Sequence, residues 1–278
     1  MKQTAERLLS RPVLRWHGGK WMLAPWIIRH FPPHRIYTEV YGGAASVLLR
    51  KPRSYSEVYN DLDGDVVNLF RMLQDRDLSN TLHGRLVLTP FAREEFELAY
   101  TKTSDPIERA RRLIIRSYMG FGSDSHNKKT GFRSNSNQSG TVPAHDWKNY
   151  TTVLPQFVER LRGVVIENRP AVEVLAQHDS HETLHYVDPP YPHETRKGSN
   201  DNYAHEMTSS DHRTLAEVLR NLKGAVVLSG YACDLYDKEL YQDWARVSRE
   251  ALADGAAVRE EVLWMNKGAA GQIVKELF

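Results

Sequence analysis

The chain has very little cysteine and no long hydrophobic run. Its single cysteine, Cys233, excludes an intramolecular disulfide and a zinc site built from several cysteines. No apolar stretch approaches the roughly 20 residues that cross a bilayer, so the sequence predicts no membrane span. The first residues, MKQTAERLLSRP, have neither a long apolar core nor a small-residue cleavage site, and therefore predict no secretory signal. These absences together favour a cytoplasmic protein.

Net charge is also small. The formal charge is +2 at pH 7, so the overall charge does not indicate a nucleic-acid partner. Its distribution is more informative, because residues 105–148 contain eight lysines and arginines but four acids. Clustered positive charge is typical of phosphate-binding surfaces, although most such runs are solvated faces. The charge pattern alone leaves both interpretations open.

The sequence alternates between strand and helix patterns at its beginning. Its 278 residues, 41% of them hydrophobic, suit one large α/β domain or a domain with a sizeable insertion. The β-prone runs are residues 36–40, which end at Gly42-Gly43, and residues 55–59, which end at Asn60-Asp61. Helical patterns cover residues 23–30, 44–50 and 65–73. This order predicts the first part of a doubly wound parallel sheet.

The middle of the chain has a different character. Residues 91–102 and 106–120 predict two helices with no strand between them. Residues 122–140 are polar and contain almost no apolar side chains, so they predict a long surface loop or hairpin rather than core.

After about residue 150 the alternation returns. Strands are predicted at 183–187, 225–229, 245–249 and 261–265, and a helix at 210–222 with Ser209 or Ser210 as its cap. We therefore expect an α/β domain formed by residues 1–64 and 150–278. Residues 65–149 form a helical, basic insertion in it.

The most specific motif is Asp188-Pro189-Pro190-Tyr191, directly after the predicted strand 183–187. Open α/β sheets bind ligands outside the carboxyl ends of their strands. The amine of adenine is a poor nucleophile, and Asp188 and the carbonyl of Pro189 are the acceptors that its two N–H groups need. The prolines stiffen the loop and preorganise these acceptors. Tyr191 offers a ring on which a flipped base can stack.

Several motifs in one order resemble the Dam-type family of DNA adenine methyltransferases, including its phage members. Residues 15–20, RWHGGK, resemble the family's W-A-G-G-K segment, with His17 in place of alanine. Residues 39–46, EVYGGAAS, resemble its E-P-F-x-G-x-G-S cofactor loop, although Ala45 stands where the second glycine is expected. Asn60-Asp61 and then residues 188–191 follow in the family's order. The resemblance covers nearly the whole chain.

The resemblance implies a fold, a cofactor and the residues that bind it. The fold is a class I methyltransferase fold: a Rossmann-like, doubly wound, mostly parallel sheet with a mainly helical DNA-recognition insertion. The methyl donor is S-adenosylmethionine, the product is S-adenosylhomocysteine, and no metal is required. Glycines at 42 and 43 would allow close backbone approach, and Asp61 would bind the ribose hydroxyls. The positions that match the cofactor site are Trp16, Lys20, Glu39, Tyr41, Gly42, Gly43, Ser46, Asp61 and Asp188.

Double-stranded DNA is the expected partner, because the target adenine must be extruded from a duplex to reach the cofactor. Arg15 stands where relatives have a DNA-contacting lysine. The candidates for phosphate contacts are Arg116, Lys128, Lys129 and Arg133. The candidates for base contacts are Ser123, Asn127, Arg133 and Asn135. The recognition sequence does not follow from the resemblance.

Two other functions stay open at this point. Cytosine N4-methyltransferases also use a Pro-Pro-aromatic motif, though theirs more often begins with serine. A DNA-binding module without catalysis is the second alternative, since Ala45 departs from the cofactor loop. Glutamine and RNA methyltransferases typically begin the motif with asparagine.

The residues do not decide the oligomeric state, though a monomer would suit an asymmetric site. Nor do they say whether the protein is bacterial or phage-encoded, or belongs to a restriction-modification pair.

Some histidines need separate interpretation. His178, His181 and His185 are close in sequence, but we interpret them as ordinary surface or strand histidines because methyl transfer needs no metal. Residues 203–208, YAHEMT, resemble a stretch that follows the catalytic motif in phage-like relatives. Roles for His205 and Glu206 are not assigned.

Overall fold

The described part of the chain contains one mixed sheet of seven strands. The computed structural model describes residues 9–135, 142–195, 205–252 and 258–273. Within these ranges the strands are β1 (Ile36–Glu39), β2 (Ser56–Asn60), β3 (Val164–Glu167), β4 (Thr183–Val187), β5 (Ala225–Tyr231), β6 (Ala245–Leu252) and β7 (Val258–Met265).

The helices follow the predicted alternation at both ends of the chain. They are α1 (Ala24–Ile28), α2 (Ser46–Arg50), α3 (Gly64–Gln74), α4 (Arg76–Leu88), α5 (Arg93–Leu98), α6 (Pro106–Met119), α7 (Pro143–Leu161), α8 (Ala171–His178), α9 (Ser209–Arg220) and α10 (Lys267–Ile273). A 3₁₀ turn (His193–Thr195) and a π-helical turn (Leu235–Leu240) complete the described elements.

The order of strands in the sheet is β3-β2-β1-β4-β5-β7-β6. The first five strands in this order are parallel to their neighbours, and β7 lies antiparallel between β5 and β6. This arrangement confirms the predicted Rossmann-like, mostly parallel sheet. Strand order reverses between β1 and β4, which is the point where open α/β sheets bind ligands.

The chain is divided into two compact units. The first contains residues 1–24, 44–51 and 68–162, and the second contains residues 25–43, 52–67 and 163–278. The first unit therefore includes three segments that we assigned from sequence to the catalytic part, namely residues 1–24, 44–51 and 150–162. The functional division of the chain stays a prediction.

The second unit contains the sheet and a hydrophobic core. All five residues of β4 are buried, as expected for a central parallel strand covered on both faces. Leucine, valine and aromatic side chains from β5, β7, α8 and α9 pack together, with Trp264 and Tyr236 fully buried among them. This packing supports the strand ends on which the candidate site is built.

The first unit is mainly helical, and its central helix is α6. Asp105 caps α6 by accepting the N–H of Ile107, and Pro106 occupies the first turn, where its missing N–H costs nothing. The helix buries one face, which includes Leu113, Ile114 and Tyr118. It ends at Met119, immediately before the polar stretch.

Several helices and strands were not predicted from the sequence, and the reasons can be identified. Strand β3 has four residues at the edge of the sheet, and only its first is fully buried. Helix α4 contains serine, asparagine, threonine and glycine, which are weak helix formers, and α7 contains Pro155. Helix α8, eight residues long, was not predicted. The cap of α9 is Thr208, not Ser209 or Ser210, because Thr208 forms a reciprocal capping box with Asp211.

The helices can also be compared with the thickness of a bilayer. Among the described residues, no helix is both long and apolar enough to cross a membrane.

Candidate active site

The motif at residues 188–191 lies at the carboxyl end of β4, beside β1. Strands β1 and β4 are paired in parallel, with Glu39 opposite Tyr186, so the residues after both strands emerge at the same edge. This is the reversal point of the strand order, where a ligand is expected. Asp188 is partly exposed at this edge, whereas Pro189 behind it is buried.

The carboxylate of Asp188 is held by the neighbouring strand. The hydroxyl of Ser229, near the end of β5, donates to Oδ1 of Asp188 at 2.7 Å. Ser229 is fully buried. Hydrogen bonds to a charged acceptor are stronger than neutral ones, so the orientation of Asp188 is well determined.

Tyr191 is more buried than the sequence suggested. Its side chain is 4% exposed, and its hydroxyl donates to Oε1 of Glu261 on β7 at 2.5 Å. The ring meets the edge of Tyr231, with centroids 4.6 Å apart. Burial and the neighbouring carboxylates raise the pKa of Tyr191, so its hydroxyl stays protonated. Stacking of this ring on a base stays a prediction.

At the end of β1, the Glu39 side chain is buried and accepts a hydrogen bond. The hydroxyl of Tyr37 donates to Oε2 of Glu39 at 2.6 Å. Tyr41, two residues further on, is partly exposed, and burial of its hydroxyl raises its pKa.

Gly42 has a packing role that the sequence did not reveal. A Cβ atom at this position would lie 2.2 Å from the ring of Tyr59, and Tyr59 is fully buried. The hydroxyl of Tyr59 donates to the carbonyl of Gly43 at 2.7 Å. Glycine at 42 is therefore required by the ring beneath the loop, in addition to any contact with a cofactor.

Asp61, after β2, faces this same loop. Its Oδ2 accepts the N–H of Gly43 at 2.7 Å, and its Oδ1 accepts the N–H of Asp63 at 2.8 Å. The residue is partly exposed, but burial of its carboxyl group raises its pKa to about 6 against the opposing effect of these hydrogen bonds. An acid that titrates near pH 6 is charged at neutral pH.

Three of the cofactor candidates belong to the first unit. Trp16 stacks on His126, with ring centroids 3.8 Å apart. Lys20 is 5% exposed and donates to the carbonyl of Gly18 at 2.8 Å. Ser46 is the first residue of α2 and is buried. Their cofactor roles stay predictions.

Ala45 departs from the family's glycine in residue type but not in conformation. Its φ is 52°, in the left-handed region that glycine favours, and its side chain is fully buried. The loop therefore has the backbone shape that a glycine would adopt, and the substitution is accommodated at the cost of some strain.

The polar stretch after α6 begins as a hairpin. The N–H of Phe121 donates to the carbonyl of Gly131 at 2.8 Å, and the N–H of Arg133 donates to the carbonyl of Met119 at 2.8 Å. The expectation that this stretch contributes nothing to the core was wrong at Ser125, which is fully buried. Residues 136–141 lie outside the described ranges.

Some DNA-binding candidates hold this hairpin in place. The guanidinium of Arg116 donates to the carbonyls of His126 at 3.1 Å and Ala99 at 2.9 Å. Arg133 donates to the carbonyl of Tyr118 at 2.9 Å. The backbone of Arg15 bonds to the hydroxyl of Ser117 on α6, and its guanidinium donates to the carbonyl of Gly120 at 3.3 Å. These arginines connect the hairpin to its surroundings.

Other candidates point outward. Asn127, Lys129 and Asn135 are exposed, whereas Ser123 and Lys128 are partly buried. Lys128 lies 3.5 Å from the carboxylate of Asp124.

Much of the positive charge in residues 105–148 is compensated. The two carboxylate oxygens of Glu108 accept from Arg111 and Arg112, and Arg111 also donates to Glu95 at 2.9 Å. The excess of arginine over acid in this stretch thus overstates the charge that is available to a phosphate.

Within the described residues, His178, His181 and His185 are not part of any group of three or more potential metal ligands. His185 is fully buried in β4, between Thr38 at 2.8 Å and Asp179 at 3.4 Å, and burial lowers its pKa to about 4. In the segment 203–208, Tyr203 and Ala204 lie outside the described ranges.

Four residues near these candidates were missed by sequence reasoning. They are Tyr186, Ser229 and Glu261, which support the motif at 188–191, and His126, which stacks on Trp16. Ser229 could have been found from its position at the end of the predicted strand next to β4. Glu261 and His126 have no local sequence signal, because their contacts depend on strand order and loop closure.

Comparison with known proteins identifies the family of the chain. A family model described as D12 class N6 adenine-specific DNA methyltransferase matches residues 16–254. The DNA adenine methylase of Vibrio cholerae is 25% identical over 246 residues, which cover 84% of this chain and 85% of the relative. The enzyme of that name from Escherichia coli strain K12 is 24% identical over 223 residues, or 77% of each chain. That of Serratia marcescens is 24% identical over 250 residues, covering 84% and 87%.

The family model extends over most of the chain and includes residues 39–46, the polar hairpin and the motif at 188–191. The chain belongs to the D12 class of N6 adenine-specific DNA methyltransferases.

Proposed function

We propose that the chain methylates a flipped-out adenine at a defined sequence in duplex DNA, with Asp188 and the carbonyl of Pro189 as acceptors for the target amine. The observation that carries this proposal is the place of Asp188, at the strand-order reversal and held by Ser229. Membership of the family implies S-adenosylmethionine as the methyl donor. The relatives are bacterial, and we assign the reaction to the bacterial cytoplasm, whether the gene is cellular or phage-borne.

Adenine N6 needs help because its lone pair is delocalised into the ring. An acceptor on each N–H group draws the nitrogen toward a pyramidal geometry in which the lone pair can attack the methyl group. Asp188 supplies a charged acceptor and Pro189 a neutral one, both fixed before the base arrives. Such preorganised acceptors lower the barrier because they do not reorganise during the reaction.

The residues present fit the cofactor. Asp61 has a charged carboxyl group at neutral pH, partly exposed at the end of β2, and carboxylates in such positions bind ribose hydroxyls. Gly43, with a φ of 46°, leaves the backbone open to close approach. When bound, the cofactor supplies an activated methyl group on a sulfonium, which explains why a metal is not required.

We assign the reading of DNA to the first unit. Asn127, Lys129 and Asn135, on and after the hairpin, are exposed and have side chains suited to contacts with base edges or phosphates. Arg116, Arg133 and Arg15 then act mainly by fixing the hairpin. A single copy of the chain is sufficient for this account.

One of the alternatives left by the sequence, methylation of cytosine, is not supported, because the family's substrate is adenine. The experiment that tests the proposal compares the purified wild-type protein with Asp188→Ala, using duplex DNA and labelled S-adenosylmethionine. We expect N6-methyladenine from the wild type and a loss of at least about 1,000-fold in kcat from Asp188→Ala. Asp243→Ala, which changes an exposed acid of the same unit, is the matched control. Comparable activity in Asp188→Ala and the control would refute the role of Asp188.

A further inference from the structure

A buried chain of hydroxyl groups leads to Asp188. Strands β4 and β5 are paired so that Tyr186 lies opposite Val227 and Val187 opposite Leu228, which brings Asp188 beside Ser229. Ser229 Oγ lies 2.7 Å from Asp188 Oδ1 and 2.9 Å from Tyr186 Oη. Tyr186 and Asp188 are two residues apart, so their side chains lie on the same face of the sheet.

The direction of these hydrogen bonds follows from counting the hydrogens of the two hydroxyl groups. A serine hydroxyl has one hydrogen, and that of Ser229 is donated to Asp188. The bond between the two hydroxyls must therefore be donated by Tyr186. Burial, together with the nearby charge of Asp188, raises the pKa of Tyr186, which keeps this hydroxyl a donor.

The two hydroxyls are closed to solvent in the folded protein, because Ser229 is fully buried and Tyr186 is 1% exposed. Removal of the Ser229 hydroxyl would take away the hydrogen bond to Oδ1 of Asp188 and leave the Tyr186 hydroxyl without its acceptor.

We propose that Ser229 is a positioning residue of the methyltransferase, which fixes the orientation of the Asp188 carboxylate toward the adenine amine, with Tyr186 aligning the Ser229 hydroxyl. The inference rests on the proposed role of Asp188. With Oδ1 held, the carboxylate cannot turn about its Cβ–Cγ bond, and its second oxygen keeps one direction. Acceptor direction matters, because hydrogen bonds weaken steeply away from the lone-pair plane.

The hydrogen-bonded hydroxyls of Tyr186 and Ser229 orient Asp188 but do not conduct protons away from it. Both of their hydrogens point toward Asp188, and Tyr186, at the far end, is closed to solvent. A proton lost by the methylated amine therefore leaves by another route. Consequently, loss of the Tyr186 hydroxyl should reduce the rate only moderately.

The test measures single-turnover methyl transfer, kcat, and the KM values for DNA and S-adenosylmethionine in three variants. Ser229→Ala should lower kcat about 10- to 100-fold, the value of one hydrogen bond to a charged group, with both KM values within about threefold of wild type. Ser229→Thr, which keeps the hydroxyl, should recover most of that loss. Tyr186→Phe should lower kcat about three- to tenfold.

A control separates positioning from stability. Val226→Ala shortens a fully buried side chain of the same strand and does not touch Asp188. It should lower the unfolding temperature while leaving kcat near the wild-type value. If Val226→Ala lowers kcat as much as Ser229→Ala does for a similar fall in unfolding temperature, the role of Ser229 is structural and the proposal fails.

The outcomes are distinguishable from failure of the proposed function. An active Asp188→Ala variant overturns the role of Asp188 itself. An inactive Asp188→Ala beside a fully active Ser229→Ala overturns only the positioning role. If Ser229→Ala does not fold, Tyr186→Phe decides, since wild-type kcat in that variant contradicts the alignment of Ser229.

Discussion

The polar side chains at the edge of the sheet around β4 are held by hydrogen bonds, whereas several of those in the hairpin after α6 are exposed to solvent. At the sheet edge, Asp188, Tyr191 and Asp61 each have a short hydrogen bond to a neighbouring strand or loop. In the hairpin, Asn127 and Lys129 extend into solvent from a backbone anchored at a few points.

The difference reflects two physical requirements. Methyl transfer needs acceptors at fixed angles, and a sheet supplies them because buried partners cannot shift. Reading DNA needs side chains that reach a groove, so their anchors must be backbone bonds and arginines such as Arg116 rather than the reading groups themselves. Under the proposed function, the chemistry is built into the core and recognition is presented on an anchored surface.

One glycine from each region sharpens this comparison most strongly. Gly42→Ala would place a Cβ atom 2.2 Å from the buried ring of Tyr59. We expect it to reduce the free energy of unfolding by about 3 kcal/mol or to prevent folding. Gly131→Ala in the hairpin meets nothing within 4 Å and should change stability by less than about 0.5 kcal/mol. Denaturant unfolding of both variants measures this, and equal effects would contradict the comparison.

Arg116 of α6, which anchors the hairpin, and Lys129, which is exposed on it, should respond differently to removal of their side chains. Arg116→Ala removes two bonds to carbonyls and should lower the free energy of unfolding by about 2 kcal/mol. Lys129→Ala, from an exposed position, should leave stability unchanged.

The DNA affinity of the Lys129→Ala variant supplies the other half of that test. If Lys129 contacts a phosphate, the slope of log affinity against log salt should fall by about one. An unchanged slope, measured by titration at several salt concentrations, would remove Lys129 from the DNA surface.

At the sheet edge, a fall in pH should weaken binding of the cofactor. The pKa of Asp61 is raised to about 6, mainly by burial, so its carboxyl group becomes neutral as the pH falls through 6. A neutral carboxyl group is a poorer acceptor for ribose hydroxyls, and affinity for S-adenosylmethionine should fall about tenfold between pH 7.5 and pH 5.

The control for this pH effect is Asp61→Asn. That variant should bind S-adenosylmethionine more weakly at pH 7.5 and lose the dependence on pH around 6. Calorimetry across this range measures both proteins. A pH dependence that survives in Asp61→Asn would assign the titration to another group.

The smallest effect is expected at Ala45. Ala45→Gly relieves a φ of 52° but gives the unfolded chain more freedom and removes a buried methyl group. These contributions nearly cancel, and we expect a stabilisation of about 0.5 kcal/mol in thermal unfolding. A loss above about 1 kcal/mol would mean that packing of the methyl group outweighs the strain of the left-handed conformation.

Much of the sheet could be predicted from the sequence, because its strands are short apolar runs that end at turn residues. Strand β4 and the start of β5 were predicted correctly to the residue. Edge strand β3 was missed because only its first residue is fully buried. Helix α4 was missed because it contains weak helix formers, and helix α7 because of its internal Pro155.

The site divides in the same way. The motif at 188–191 was readable because its residue types are dictated by the reaction and are adjacent in sequence. Ser229 and Glu261 contact it from 41 and 70 residues away, so only the order of β4, β5 and β7 reveals them. The hairpin's arginines had the right residue type for phosphate binding, yet their carbonyl contacts were invisible in the sequence.

The most direct measurement is long-read sequencing of DNA from a methylation-deficient host that expresses the wild-type chain, beside a host that expresses Asp188→Ala. We expect N6-methyladenine in one sequence context with the wild type and none with the variant. Modified adenine in both samples would contradict the role of Asp188, and no modified adenine in either would contradict site-specific adenine methylation by this chain.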